Sequence, residues 1–243
     1  MSTPFSNMAD AVESIRTRMK NAAERAGRDP SEVELIAVSK THPVEAVREA
    51  RGCGLRLFGE NKVQEARAKI PDAPSDLRWH LIGHLQSNKI RHALPLFEMI
   101  HSVDSLELAT QIDRIAMELG SFPKVLLEVN VAGEASKFGF QPELLRTQME
   151  KLIALPRLQI DGLMTIAPYA EEAEASRPSF RQLRELRDEL ATEQNIQLTH
   201  LSMGMSGDFE VAIEEGSTLI RVGTSIFGAR NYSKMQREKT EPS

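Results

Sequence analysis

Apolar and polar positions along this chain fall into two alternating rhythms. In VELIAVSK, residues 33–40, Val33, Leu35, Ile36, Ala37 and Val38 are apolar and follow no helical period. Such a run predicts a buried strand. Ser39 and Lys40 end it, Thr41-His42-Pro43 breaks it, and Pro43 suits the first turn of a helix over 43–51. The same pairing recurs down the chain. Strand-like runs at 55–60, 78–83, 99–104, 124–130, 158–166, 199–204 and 218–224 are each followed by a helical or turn segment, at 61–70, 87–94, 105–119, 142–155, 178–193, 208–215 and in the final SIFGAR. Alternation of this kind predicts a parallel sheet with crossover helices. Eight units that close on themselves make a (β/α)₈ TIM barrel of the α/β class. A doubly wound open sheet has the same periodicity and is the alternative.

Before the first strand, residues 6–27 carry Met8, Val12, Ile15 and Met19 at 3-4-4 spacing among helix-favouring alanines, with Gly27 as a C-cap. This extra N-terminal helix is expected to pack on the barrel. The predicted organisation is a helix within residues 1–30, a barrel over 31–230, and a polar tail over 231–243 that is frayed or disordered.

Composition changes this picture little. The chain has 243 residues, 41% hydrophobic and 27% charged, with a formal net charge of −5. That is an ordinary globular composition, long enough for a single barrel. The acidic balance argues against nucleic acid as a partner. No apolar run reaches the roughly 18 residues that cross a bilayer, and the N-terminus carries Asp10 and Glu13 in place of an apolar signal. Cys53 is the single cysteine, so no internal disulfide forms. A cytoplasmic location follows as the expectation. His80, His84 and His92 lack metal-ligand companions at the usual spacings, so no metal site is expected.

Candidate chemistry gathers at the predicted strand ends, where a barrel carries its functional residues. They read Ser39-Lys40, Gly59-Glu60-Asn61, Gly83-His84, Asp104, Asn130, Thr165, Ser202 through Ser206, and Gly223-Thr224. Taken singly, each also reads as a turn or cap; Glu60-Asn61 and Asp104-Ser105 suit helix N-termini. Lys40 at a strand mouth is either a solvated cation or, partly desolvated, an amine nucleophile. Ser206-Gly207-Asp208 and Gly223-Thr224-Ser225 offer backbone N–H groups and hydroxyls to an anion after the seventh and eighth strands, or are two ordinary Gly-Ser turns. Arg221 sits among Leu219, Ile220 and Val222, on the same face as Gly223. It cannot shed its charge, so it requires an acceptor: a carboxylate such as Glu60 or Asp208, or a ligand. In a closed barrel the eighth strand adjoins the first. Lys40, Arg221 and the anion cradle then share one mouth, the parts of a pyridoxal-phosphate site.

The segments AVSKTHP, FGENKVQE, WHLIGHLQSNK, HSVDS, GLMTIAPY, LSMGMSGDFEVAIEEGSTLIRVG and IFGAR stand in this order between Leu35 and Arg230. With them the chain resembles the pyridoxal-phosphate homeostasis proteins, the YggS/PROSC-like family, which is similar to the barrel domain of alanine racemase without its second, β-rich domain. This chain is expected to lack that domain as well. The resemblance implies that Lys40 bears pyridoxal 5′-phosphate as a Schiff base. It implies that Ser206, Gly223 and Thr224 cradle the phosphate and that Arg221 faces the pyridine nitrogen, with Asn61 and His84 at the rim. An arginine there leaves the ring nitrogen unprotonated and the electron sink weak. Tyr169 and Tyr232, the only tyrosines, give no evident second base opposite Lys40. The implied function is to carry and buffer the cofactor in vitamin B6 homeostasis, with pyridoxal-phosphate-dependent apo-enzymes as recipients, as a monomer without catalytic turnover. An amino-acid racemase is the alternative.

Overall fold

A computed structural model of the chain describes residues 8–134 and 137–228. Helix α1 (Met8–Arg25) buries Ala11, Val12, Ile15, Met19, Ala22 and Ala23 along one stripe. The apolar runs that follow become β1 (Glu34–Val38), β2 (Leu57–Glu60), β3 (Arg78–Leu81), β4 (Met99–Val103), β5 (Lys124–Glu128), β6 (Gln159–Met164), β7 (His200–Ser202) and β8 (Leu219–Val222). All neighbours are parallel, and β8 returns to β1 with Ile36 opposite Arg221 and Ala37 opposite Val222. The sheet is therefore a closed eight-stranded barrel, and the open-sheet alternative falls.

The crossover segments are α2 (Val44–Gly52), α3 (Val63–Lys69), α4 (Ile90–Ala93), α5 (Leu106–Leu119), α6 (Pro142–Ile153), α7 (Arg177–Gln194) and α8 (Phe209–Glu214), with α9 (Thr224–Phe227) closing the described chain. Ser105 caps α5 by accepting the Leu108 N–H at 3.2 Å, and Gly120 ends it at φ 66°. Such a cap is worth about 1 kcal/mol. The predicted cap at Glu60-Asn61 is not made. Lys62 is the N-cap of α3, and Glu60 turns into the protein. The strands are shorter than their apolar runs, although backbone hydrogen bonds such as Ser39 N–H to the Gly59 carbonyl and Ile82 N–H to the Glu60 carbonyl continue past their ends. Helix α1 packs against α8, with Arg18 on Glu210 at 2.7 Å and Arg25 on Glu214 at 2.7 Å. The predicted polar tail, Tyr232 and Arg230 lie outside the described residues. No helix among the described residues is long and apolar enough to cross a membrane.

Strand alternation divides the core. Leu35, Ala37, Ile220 and Val222 join the large layer between strands and helices. Ile36, Leu57, Met99, Leu126, Met164 and Leu219 fill the lumen. With a period of two, Val38 and Lys40 follow Ile36 on the lumen side, and Arg221 and Gly223 follow Leu219. The lumen is thus apolar below and polar at the C-terminal ends of the strands, the face that carries function in barrels of this kind.

Candidate functional site

A cleft of about 320 Å³ opens at that mouth. Lys40, Asn61, Ser206, Arg221, Gly223 and Thr224 all lie in its walls, together with Val38, Met205, Gly207 and Asp208. Six of the seven residues singled out from the sequence are therefore brought together. The seventh, His84, is not among the wall residues. Its Nδ1 pairs with Asp104 Oδ2 at 3.1 Å, and its ring stacks on Phe138 with centroids 4.1 Å apart. Asn61 is set by Gly83: a Cβ there would fall 2.4 Å from the Asn61 carbonyl oxygen, so only glycine admits this approach.

Asp208 organises the turn after β7. Its Oδ1 accepts the Met205 N–H at 2.7 Å and its Oδ2 accepts the Ser176 hydroxyl at 3.0 Å, which ties the turn carrying Ser206 and Gly207 to the segment before α7. Asp208 is thus not the partner of Arg221. Helices α8 and α9 are only six and four residues long. What this rim offers an anion is backbone N–H groups and the Ser206 and Thr224 hydroxyls, with little macrodipole behind them.

Arg221 forms the charged floor and is 6% exposed. Nη1 donates to the Ser202 carbonyl at 2.9 Å and to Ser202 Oγ at 2.5 Å, and Nη2 donates to the Thr165 carbonyl at 2.8 Å. Among the described residues no carboxylate lies within ion-pair distance of it, so neither Glu60 nor Asp208 is the acceptor expected from the sequence. Burial lowers its pKa to about 10, which leaves it cationic at neutral pH. Beneath it runs a buried polar chain. Ser202 Oγ lies 2.9 Å from His101 Nδ1, and His101 Nε2 lies 2.9 Å from His80 Nδ1. Burial depresses both histidines, His80 to about 3 and His101 well below 6.5, so both are neutral. Glu128, at the end of β5, is pushed up to about 7 by burial and by the Asp104 charge, against the pull of Arg221.

Lys40 is held from both sides. It is followed by Thr41 at φ 67°, a left-handed conformation that disfavours a β-branched residue by about 1–2 kcal/mol. Ser39 Oγ donates to Glu60 Oε1 at 2.7 Å. The Lys69 ammonium donates to Glu60 Oε1 at 2.6 Å, to the Ser39 carbonyl at 2.8 Å and to Glu65 Oε1 at 3.0 Å. Glu65 Oε1 accepts the Thr41 N–H at 2.5 Å. Glu60 is fully buried, and burial raises its pKa against the lowering effect of Lys69. Sequence reasoning missed this cluster. The readable signal was a glutamate in an apolar strand end and the i,i+4 pair Glu65–Lys69, which looks like an ordinary surface pair.

The family model for the alanine racemase N-terminal domain matches residues 11–231. A pyridoxal phosphate homeostasis protein of Aquifex aeolicus is 48% identical over 227 residues, 93% of this chain and 100% of that protein. The PipY protein of Synechococcus elongatus PCC7942, solved with PLP bound, is 46% identical and aligns over 91% of this chain and 100% of that one, with a TM-score of 0.81. An alanine racemase of Clostridium difficile, 16% identical, shares the fold over 93% of this chain and 58% of that one, with a TM-score of 0.70.

Proposed function

Since the chain belongs to the family of pyridoxal phosphate homeostasis proteins, which carry the alanine racemase N-terminal-domain fold, we propose that it binds pyridoxal 5′-phosphate at the barrel mouth through Lys40 and acts in the intracellular homeostasis of that cofactor. The observation that carries this reading is the shared cleft: an amine, a fixed buried cation and an anion cradle meet in one set of walls.

The residues present fit the cofactor. Ser206 and Thr224 supply hydroxyl donors for the phosphate. Gly223 lies in the same wall beside Thr224, and a Cβ on it would stand 3.3 Å from the Val38 backbone oxygen, so glycine fits this approach of β8 to β1. Arg221 has five N–H groups, of which the Ser202 and Thr165 contacts use three, and the remainder serve as donors to an acceptor in the cleft. When bound, the cofactor supplies an aldehyde that condenses with a lysine amine, with loss of one water. Lys40 Nζ is the amine for this. Arg221, cationic and a donor only, would hold a ring nitrogen placed against it unprotonated, which would weaken electron withdrawal and disfavour turnover. Asn61 and His84 are assigned to the rim.

We assign the protein a carrier and buffering role rather than an enzymatic one, with pyridoxal-phosphate-dependent apo-enzymes as recipients, as a cytoplasmic monomer. A racemase reading has one observation in its favour: Tyr169 lies in the cleft wall. Its side chain is 94% exposed, a solvated hydroxyl rather than a shielded base. Borohydride reduction in the presence of pyridoxal phosphate, followed by peptide mapping, is expected to place the adduct on Lys40 and to give none in Lys40→Ala. An unmodified Lys40 would overturn the proposal. Sustained exchange of the α-proton of L-alanine in deuterated water, lost in Lys40→Ala, would make the protein an enzyme.

A further inference from the structure

Lys69 is outside the cleft walls, yet its ammonium is saturated. Three N–H donors meet three acceptors, and each acceptor belongs to or contacts the turn that carries Lys40. The Ser39 carbonyl, on one side of Lys40, takes one donor directly. On the other side, the Thr41 N–H is bound by Glu65 Oε1, the same oxygen that accepts from Lys69. Glu60 Oε1 receives both Lys69 and the Ser39 hydroxyl. One ammonium and two carboxylates therefore fix the peptide units on both sides of Lys40.

This turn has need of such a device. Among the described residues, Thr41 and Asn195 are the non-glycine positions with positive φ. Asn195 is the C-cap of α7, where asparagine is well suited. Thr41 is β-branched, and a β-branched residue stays left-handed only where its surroundings over-determine it. A buried ion pair adds little stability over apolar residues of the same volume. Placing one here is explained by the orientation that it imposes.

We propose that Lys69 is the positioning residue for Lys40: the latch that it forms with Glu60 and Glu65 holds the strained turn at residues 39–41, so that the Lys40 side chain enters the cleft. The inference rests on the reading of Lys40 as the cofactor-bearing lysine. Lys69 acts through the backbone of that turn and touches no bound molecule.

The test uses the full chain and pyridoxal phosphate. Lys69→Met combined with Glu60→Gln removes both charges and leaves no uncompensated buried carboxylate. Glu65→Gln, a milder second variant, keeps the Lys69–Glu60 pair and weakens the one oxygen that accepts from both the Thr41 N–H and Lys69. With folding checked by circular dichroism, the double variant is expected to bind the cofactor about tenfold more weakly, or about 1.4 kcal/mol, with Glu65→Gln in between. Adding Thr41→Gly to the double variant supplies the positive φ without strain and is expected to restore most of the affinity. Glycine there adds no contact, so a latch that merely supported the fold would not be rescued. Wild-type affinity in folded double and Glu65→Gln variants, or no rescue by Thr41→Gly, overturns this inference alone. An unmodified Lys40 in the borohydride-treated wild-type chain removes the parent reading and this one together.

Discussion

Replacing Glu128 with glutamine should stabilise this protein, and by more as the pH rises. Glu128 ends β5, is 7% exposed, and has its pKa pushed from the ordinary 4.5 to about 7 by burial first and by Asp104 second, with Arg221 opposing. A carboxyl whose folded-state pKa lies above its unfolded value binds its proton more tightly in the native protein. Stability from the protonated form is fully present below about pH 4.5 and is lost as the pH rises through about 7. The difference of about 2.5 in pKa, at about 1.4 kcal/mol for each unit, amounts to about 3.5 kcal/mol. Glutamine keeps the shape without the charge. It should leave stability unchanged near pH 4.5 and raise it by about 2–4 kcal/mol at about pH 8. The value of about 7 already includes the opposing pull of Arg221, which stays cationic in either variant. Urea unfolding of both proteins across this range measures the effect, with the m-value serving as the check that compactness is unchanged. A stability difference that does not vary with pH, or a variant less stable than wild type at about pH 8, would refute the reasoning.

Ser206→Ala and Thr224→Ala each remove one hydroxyl from the anion rim. At about 1.5–3 kcal/mol for a hydrogen bond to a charged group, each should weaken pyridoxal phosphate about ten- to hundredfold in an absorbance titration, and thermal stability should barely move. Sulfate keeps its charge through neutrality, so its affinity for the mouth should tighten as the pH falls through about 7 and Glu128 loses its negative charge. Competition of sulfate against the cofactor reads this directly, and Glu128→Gln should abolish the trend.

The barrel was legible because parallel strands buried on both faces read as continuous apolar runs. Residues 35–38 and 125–127 show this plainly. Closure was not legible, since periodicity contains no information about whether β8 meets β1. Arg221 stood out as a charge inside an apolar strand, and Lys40 as the terminus of another, so the centre of the cleft could be named from the chain alone. The partners of those residues could not. Glu60 was a candidate acceptor for Arg221, but it bonds to Lys69, nine residues on, at 2.6 Å. That burial depends on how α3 lies against β2, which no local pattern encodes. His84 stood beside the other candidates because it follows a strand end. Asp104 and the Phe138 ring draw it to their own side of the mouth. His80 and His101 were unremarkable in sequence, because a neutral buried chain across strands has no spacing rule.

That buried chain fixes the floor of the cleft. Arginine only donates, so Ser202 Oγ must accept from Arg221 Nη1. Ser202 Oγ lies 2.9 Å from His101 Nδ1, and His101 Nε2 lies 2.9 Å from His80 Nδ1. Each of these contacts takes one N–H or O–H hydrogen, so the two rings share one relay direction, and the chain ends at His80 Nε2, a buried atom with no partner. Burial keeps both imidazoles neutral far below physiological pH. Arg221 is therefore held by groups whose charge does not vary, and its own charge is retained at neutral pH. Glu128, which faces the same guanidinium from β5, is the group in this set that titrates near neutrality. The lumen thus offers an anion a constant positive floor, and the variable part of its field resides in one carboxylate across the mouth from Lys40.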